Sequence, residues 1–234
     1  MHDFSGKVVV VTGAAGNLGR AVAAAFEAAG AKLALLDRSE EVLGNVYGEG
    51  PTRLPVPTDL TDEASVASAV DGIVRHYGRI DVLANIAGGF RMGPPVHETP
   101  VRDWDVMMDL NARSVFLMAR AVIPHMLASG GGRIVSVSAR AAVQPKGHMA
   151  PYCASKAAVI TLTESLAAEY RSDGITVNCV LPGTIDTPQN RADMPEADWG
   201  KWVPPADLAS VILFLASDAA RAVNGAAIPV YGQS

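Results

Sequence analysis

The sequence predicts an α/β fold in which a doubly wound, mostly parallel sheet of about seven strands carries helices on both faces. Short runs of β-branched residues alternate along the chain with longer alanine-rich stretches whose apolar residues recur at helical spacing. Of the 234 residues, 49% are hydrophobic, which is enough for one core. No linker, repeat or low-complexity tract divides the sequence. We therefore expect residues 1–234 to form a single domain.

The predicted strands are short and apolar. The first is a continuous run of valines after Lys7, as expected for a strand that is buried on both faces. In the third, Pro55 and Pro57 limit the length of the run. In chain order, the predicted strands are 7–11, 32–36, 54–56, 81–84, 133–137, 175–180 and 226–230.

The predicted helices combine apolar periodicity with capping residues. Leu18 and Phe26 share one face of the first helix, and Thr61 is the expected N-cap of the second. The predicted helices are 17–29, 61–77, 104–128, 151–170 and 205–216. Residues 188–204 show no clear period, and long irregular segments of this kind often cover a binding site. We expect this segment to form a loop on the substrate side.

Composition and charge exclude several classes of protein. A formal net charge of −5 and the lack of a dense Lys/Arg run argue against a nucleic-acid partner. The N-terminus has no signal-peptide pattern, and the apolar runs are too short and interrupted to span a membrane. Cys153 and Cys179 are too few for a disulfide framework, and no spacing of His, Cys and Asp indicates a metal site. The sequence thus favours a cytoplasmic protein that binds no metal.

A glycine-rich turn connects the first predicted strand to the first predicted helix. From Thr12 to Gly19 it reads Thr-Gly-Ala-Ala-Gly-Asn-Leu-Gly. Glycines let the backbone turn tightly and approach a pyrophosphate, and the helix N-terminus offers free N–H groups and the positive end of its dipole. An ordinary strand–helix turn is the alternative. The position of the turn between strand and helix favours a nucleotide site.

An acidic residue follows the second predicted strand. Asp37 can accept hydrogen bonds from both hydroxyls of an adenosine ribose and would repel a 2′-phosphate, which favours NAD. The neighbouring Arg38 can pair with a 2′-phosphate, so NADP remains open. A solvated strand end without a ligand is the third interpretation of this pair.

Six motifs in the same order resemble the short-chain dehydrogenase/reductase family over nearly the whole chain. They are Thr12–Gly19, Asp59-Leu60, Asn85-Ile86-Ala87-Gly88, Asn111, Tyr152-Cys153-Ala154-Ser155-Lys156 and Pro182-Gly183-Thr184-Ile185-Asp186-Thr187. The resemblance implies a Rossmann-type fold, a nicotinamide cofactor and a small-molecule substrate. The cofactor contacts that follow are Gly13, Ala15, Gly16, Asn17, Leu18, Gly19, Asp37, Arg38, Asp59, Leu60, Asn85, Ala87, Gly88, Tyr152, Lys156, Pro182, Gly183, Ile185 and Thr187.

Two positions in these motifs depart from the family pattern. Asn17 stands where the middle glycine of the turn is usual, and Gly16 lies one place early. Because asparagine tolerates a left-handed backbone better than most residues, the turn is expected to survive. Ile86 replaces the second asparagine of its motif.

The resemblance assigns the proton chemistry to Tyr152, Lys156 and Asn111. Tyr152 would protonate the alkoxide that forms when a carbonyl gains a hydride, although an ordinary tyrosine pKa of about 10 is high for this task. Lys156 lies one helical turn further on the same face, and its charge is expected to lower that pKa. Lys156 would also contact the ribose of the nicotinamide, and Asn111 would hold a water that relays protons to solvent.

The catalytic serine of the family is missing from its usual place. An ungapped match puts Ala139 there, while Ser138 lies one residue earlier, where a strand side chain points to the other face. Ser138 remains the candidate donor only if the strand end bulges. Quinonoid dihydropteridine reductases use NADH and carry alanine at this position, and their electron-poor substrate needs the donor less. This chain resembles them locally at 87–90, 138–142, 147–149, 186–191 and 194–198.

Together these observations predict an oxidoreductase that moves a hydride between NAD(P) and a small carbonyl, an alcohol or an activated ring. The enzyme would be a 3-oxoacyl-type or a dihydropteridine-type reductase. The alternative, suggested by Ala139 and Asn17, is a nucleotide-binding regulatory protein with little or no turnover. Helices 104–128 and 151–170 match those that form a four-helix interface in the family, so we expect a homodimer or a homotetramer.

Overall fold

A seven-stranded parallel sheet forms the centre of the computed structural model, which describes residues 2–48 and 50–233. The strand order is β3-β2-β1-β4-β5-β6-β7, so the winding direction reverses between β1 and β4. In such sheets the ligand binds at the carboxyl ends of the strands where this reversal occurs. The strands are β1 (Val8–Thr12), β2 (Lys32–Asp37), β3 (Arg53–Pro57), β4 (Val82–Asn85), β5 (Gly132–Val137), β6 (Ile175–Pro182) and β7 (Ala227–Val230). All seven predicted strands are confirmed to within two residues.

Helices cover both faces of the sheet, as the alternating pattern predicts. They are α1 (Asn17–Ala28), α2 (Glu40–Tyr47), α3 (Glu63–Tyr77), α4 (Val101–Met108), α5 (Ser114–Ala128), α6 (Ala150–Glu169), α7 (Pro188–Asp193) and α8 (Pro205–Ala216). The doubly wound Rossmann-type architecture expected from the sequence is therefore confirmed.

The central strand β1 shows why its sequence is a continuous apolar run. Val9 and Val11 belong to the core cluster beneath α1 and α8, whereas Val8 and Val10 belong to the cluster beneath α3 and α5. All four side chains are buried. Successive side chains of a strand point to opposite faces, so two of the valines face each helical layer. Burying each valine stabilises the fold by about 1.5–3 kcal/mol.

The sequence prediction misses one helix and places the N-cap of another one residue early. Helix α2 was not predicted; it is short, Leu43 is its one fully buried residue, and Ser39 caps it by accepting a hydrogen bond from the Val42 N–H. The third helix begins after Asp62, whose carboxylate accepts from the Ser65 N–H at 2.7 Å, so the predicted N-cap Thr61 was wrong by one residue. Both residue types are good caps, and only the backbone decides between neighbours.

The predicted helix 104–128 is divided in the structure. Helix α4 begins earlier, at Val101, and a π-helical turn over Asp109–Arg113 separates it from α5. Such turns are rare and occur frequently at functional sites. This one contains Asn111, whose side chain is fully buried.

The segment 188–204 is more regular than its sequence indicates. It opens with the short helix α7, capped by the Thr187 hydroxyl, and contains a 3₁₀ turn at Trp199–Lys201. A bridge between Ile185 and Val203 closes the base of the segment. The remainder has no periodic structure, as expected.

Over residues 2–48 and 50–233, none of the helices is both long and apolar enough to cross a lipid bilayer. In the same residues no group of three or more His, Cys, Asp or Glu side chains is arranged to hold a metal ion.

Candidate active site

The loops after β1 and β4 meet at the point where the strand order reverses. The hydroxyl of Thr12, the last residue of β1, accepts hydrogen bonds from the N–H groups of Ile86 (3.0 Å) and Ala87 (3.1 Å). Asn85 ends β4 and donates to the Ser136 hydroxyl of β5. These buried bonds place the glycine-rich turn beside the Asn85–Gly88 motif.

Two glycines of the turn are required by close contacts. Gly13 has a φ of +62°, and a Cβ atom there would lie 2.8 Å from the Ala87 Cα atom. A Cβ atom on Gly19 would lie 2.1 Å from the Gly13 carbonyl oxygen, so helix α1 can approach the turn only without a side chain at that position. The result is a bare backbone cradle at the N-terminus of α1, which suits a pyrophosphate.

The turn accommodates Asn17 and the early Gly16 without a left-handed asparagine, which the sequence analysis had expected. Asn17 is the first residue of α1, and Gly16 is its N-cap with a φ of −72°. The left-handed residue of the turn is Gly13, so the tolerance of asparagine for that conformation is not needed. Both Gly16 and Asn17 are exposed at the cradle, while the Leu18 side chain is buried in the core.

Asp37, at the end of β2, is held against the same turn. Its carboxylate accepts from the Ala15 N–H (3.0 Å) and from the Arg38 N–H (2.8 Å). The exposed Arg38 guanidinium lies 3.4 Å from the Asp59 carboxylate. Hydrogen bonds from Thr61, supported by Arg38, lower the pKa of Asp59. Negative charge thus borders the place where an adenosine ribose would lie.

The sequence analysis missed two side chains that brace the turn from behind. The Tyr47 hydroxyl, at the end of α2, donates to the Ala14 carbonyl at 2.6 Å, and Arg20 Nε donates to the Ala15 carbonyl at 2.8 Å. Burial raises the pKa of Tyr47 to about 12, so it remains a donor near neutrality. Both bonds orient peptide planes of the cradle. A tyrosine so far along the chain carries no motif that would have indicated this contact.

Asn111 and Lys156 converge on Gly88. A Cβ atom on Gly88 would lie 2.8 Å from Asn111 Oδ1 and 2.9 Å from Lys156 Nζ. The Asn111 amide accepts from the Gly89 N–H and donates to the Gly89 carbonyl and the Ser155 hydroxyl. Lys156 Nζ donates to the Val137 carbonyl at 2.9 Å. Burial lowers the pKa of Lys156 to about 8.

Tyr152 lies one turn before Lys156 on α6, with the ring of Phe90 packed edge-on at 5.0 Å. Burial raises the pKa of Tyr152 to about 12, and Lys156 is not a cause of the shift. The expectation that Lys156 lowers this pKa is therefore wrong for the protein groups alone. Removal of the phenol from water outweighs a lysine whose ammonium is directed to a backbone carbonyl.

The end of β5 determines where Ser138 points. The Ser138 N–H donates to the Val180 carbonyl, which continues the ladder with β6 beyond Val137. The Ser138 hydroxyl is buried and donates to the Lys156 carbonyl at 2.7 Å, inside α6. Ala139 follows on the other face, with its methyl group buried. The regular ladder does not contain the bulge that would turn Ser138 outward.

The loop after β6 is held at both of its ends. The Gly183 N–H donates to the Val230 carbonyl, and the Asn190 side chain donates to the Ile185 carbonyl. Further along, Arg191 donates to both carboxylate oxygens of Asp186 at 2.6 Å and lies 4.8 Å from the centre of the Trp199 ring. The segment 188–204 therefore has its own internal contacts.

The predicted site residues are gathered at one edge of the sheet, with three qualifications. Leu18 and Leu60 are buried in the core, so only their backbones can face a ligand. The Thr187 hydroxyl is engaged in capping α7. Ser138 points into the protein. The cradle and the acidic Asp37 nevertheless fit a dinucleotide, with Lys156 against Gly88 and Tyr152 one helical turn before Lys156.

A parallel sheet with a glycine cradle at its reversal point, flanked by a Tyr–Lys pair, is typical of a dinucleotide-dependent oxidoreductase. The sequence pattern of the short chain dehydrogenase family matches residues 7–198, and the chain belongs to this family. It is accordingly an NAD(P)-dependent enzyme, and the alternative of a regulatory protein without turnover is not supported.

Several characterised relatives are similar over almost their full lengths. A D-threitol dehydrogenase of Mycolicibacterium smegmatis is 36% identical over 98% of this chain and 94% of its own. An NAD-dependent glycerol dehydrogenase of Listeria innocua is 36% identical over 95% and 91%. A 3-oxoacyl-[acyl-carrier-protein] reductase of Thermotoga maritima is 35% identical over 98% of both chains. The local resemblance to dihydropteridine reductases stays a prediction.

The brace behind the cradle can be tested with Tyr47→Phe. Losing a hydrogen bond of this kind is expected to raise the Kd for NADH about 2- to 10-fold, because the Ala14 peptide is no longer held. Titration by nucleotide fluorescence measures the change. Tyr77→Phe is the matched control, since its hydroxyl donates to the Leu33 carbonyl away from the turn. Equal Kd values for the two variants would show that Tyr47 does not shape the cradle.

Proposed function

We propose that this enzyme is an NAD(H)-dependent dehydrogenase or reductase that interconverts a small secondary alcohol and its carbonyl. The observation that carries the proposal is that Lys156 and Asn111 converge on Gly88, beside the glycine cradle. Lys156 lies one helical turn after Tyr152 on α6. Alcohol and carbonyl substrates appear in the names of the relatives, including threitol and glycerol dehydrogenases. A quinonoid dihydropterin remains a candidate acceptor because Ala139 replaces a hydroxyl donor.

In this mechanism the bound nicotinamide supplies or accepts the hydride. Tyr152 donates its phenolic proton to the oxygen of the reduced carbonyl. With a pKa raised to about 12, Tyr152 is protonated near neutrality, which suits the direction of reduction. Lys156, with a pKa of about 8, is mostly charged at the same pH. Its ammonium donates to the Val137 carbonyl, and Lys156 lies one helical turn from Tyr152 on α6. Asn111 fixes the Gly89 peptide and so the loop that faces both groups.

The role of Tyr152 is tested by Tyr152→Phe. We expect kcat to fall about 10²- to 10⁴-fold, the usual contribution of a general acid, with little change in the Kd for NADH. Steady-state oxidation of NADH with a panel of ketones, quinones, 3-oxoacyl thioesters and quinonoid dihydropterin gives the rates. Tyr170→Phe, at the far end of α6, is the control. Near-normal turnover by Tyr152→Phe would contradict the proposed chemistry.

The proposed preference for NAD(H) rests on Asp37. Its carboxylate is fixed at the cradle by two backbone N–H groups, so a 2′-phosphate would meet a charge that cannot move away. We expect tighter binding of NADH than of NADPH, a smaller difference in Asp37→Asn and a larger one in Arg38→Ala. Fluorescence titration of both nucleotides decides the question. Tighter binding of NADPH by the parent enzyme would mean that Arg38 dominates.

The absence of a hydroxyl at position 139 gives a further test. Ser138→Ala is expected to change kcat/KM far less than the roughly 10²-fold loss that follows removal of an oxyanion donor, because Ser138 donates to the Lys156 carbonyl instead. Ala139→Ser should raise kcat/KM on a simple ketone. The assays compare one unactivated ketone with quinonoid dihydropterin. A collapse of Ser138→Ala on both acceptors would identify Ser138 as the donor and remove the argument for a dihydropteridine-type substrate.

We also propose a homodimer or homotetramer formed through α4, α5 and α6. Phe116 on α5 is 46% exposed, and Trp104 and Val101 on the adjoining α4 are 45% and 75% exposed. Large apolar side chains that are exposed on these helices favour burial against a partner. Light scattering at micromolar concentration should give a multiple of 24.3 kDa. A sharp monomer mass would refute the proposal.

The segment 188–204 is proposed to border the substrate, and the cytoplasm remains the predicted location.

A further inference from the structure

His148 has an unusual backbone conformation. Among the described residues it is the one residue other than glycine with a positive φ, at +65°. This left-handed conformation is uncommon outside glycine, and histidine is among the few other residues that adopt it more often. His148 is exposed and lies in the loop between β5 and α6, just before the helix that carries Tyr152.

Two hydrogen bonds to Gly93 hold His148 in place. The Gly93 N–H donates to the His148 carbonyl at 2.9 Å, and the His148 Nδ1 atom lies 3.2 Å from the Gly93 carbonyl oxygen. A carbonyl oxygen has no proton to give, so Nδ1 is the donor of the second bond. We call this reciprocal pair the Gly93–His148 clasp. It joins the loop after β4 to the loop before α6.

The clasp joins the segment that carries Phe90 to the segment that leads into Tyr152, the proposed proton donor. Phe90 is three residues before Gly93 and packs edge-on against the Tyr152 ring. Tyr152 is four residues after His148. Phe90 is 56% exposed, so few protein contacts oppose its movement. The position of Phe90 over the phenol therefore depends on how the two loops are joined.

We propose that His148 is a positioning residue that holds the Phe90 ring against Tyr152. The Phe90 ring then forms a wall beside the phenol, and this wall makes the enzyme prefer compact carbonyl substrates over bulky ones. The proposal rests on the role proposed for Tyr152. A glycine at position 148 would adopt the same φ without strain, which indicates that the histidine ring is present for its contact with Gly93. With the ring removed, the clasp loses one of its two hydrogen bonds and Phe90 can move off the phenol.

The test compares His148→Gly, His148→Asn and the parent enzyme on acetone-sized and aryl ketones. We expect His148→Gly to lower kcat/KM for the small ketone about tenfold or more and to reduce the preference for it, as misplacement of groups near a reacting atom does. Its thermal midpoint should change little, because relief of the left-handed φ offsets the lost Nδ1 hydrogen bond. His148→Asn should keep most of the activity, since asparagine tolerates a left-handed φ and its amide can donate to Gly93. Gly147→Ala is the control, because a Cβ atom there would meet nothing within 4 Å.

A double-mutant cycle with Phe90→Ala separates positioning from a merely structural role. If His148 acts through Phe90, the effects of the two substitutions on the small-to-bulky preference will be non-additive. Additive effects, an unchanged preference in His148→Gly, or parallel losses of thermal stability and of activity on both ketones would overturn the proposal. Turnover by Tyr152→Phe in the same assays would instead contradict the proposed function, whatever the behaviour of His148.

Discussion

Contact between the loops after β1 and β4 is the constraint on which the rest of the site depends. Gly13 must turn with a positive φ within reach of Ala87, and the Thr12 hydroxyl must accept two N–H groups from the opposite loop. Only when these loops touch does the N-terminus of α1 lie beside the Asn85–Gly88 motif. The same approach leaves backbone rather than side chains exposed, which is the surface that a charged diphosphate requires. The fold thus creates its cofactor site by excluding Cβ atoms at two positions.

The same principle operates on the catalytic side. Gly88 carries no side chain, so the buried Asn111 amide and the Lys156 ammonium can both reach it. The π-helical turn adds a residue at this point between α4 and α5 and lies where Asn111 must face inward. Burial then lowers the pKa of Lys156 and raises that of Tyr152. Tight packing around the loop at Gly88 therefore determines both where the Lys156 side chain lies and how the pKa values of Lys156 and Tyr152 shift.

The sequence predicted the strands well because parallel strands buried on both faces leave continuous apolar runs, as in β1. It brought most of the candidate site residues together because motifs at strand ends converge at one edge of the sheet, and the roles of these residues stay predictions. It did not predict α2, where Leu43 is the one fully buried residue, or the π-helical turn, because neither leaves a periodic apolar pattern. The Tyr47 brace, the bond from Ser138 to the Lys156 carbonyl and the raised pKa of Tyr152 depend on contacts between distant segments. No local pattern encodes such contacts.

The segment 188–204 has a consequence for how this enzyme can diversify. The Ile185–Val203 bridge closes its base, and Arg191 joins Trp199 within the segment to Asp186 in the loop before it. Its C-terminal end is fixed, because Trp202 and Val203 are buried and Val203 belongs to the core cluster beneath α1 and α8. An exchange that keeps these two residues therefore leaves the strands of the sheet undisturbed. A graft from a relative with another substrate should fold if it retains the closing bridge. One scaffold can in this way acquire new specificities by insertion and replacement at a single place, while its nucleotide site stays constant.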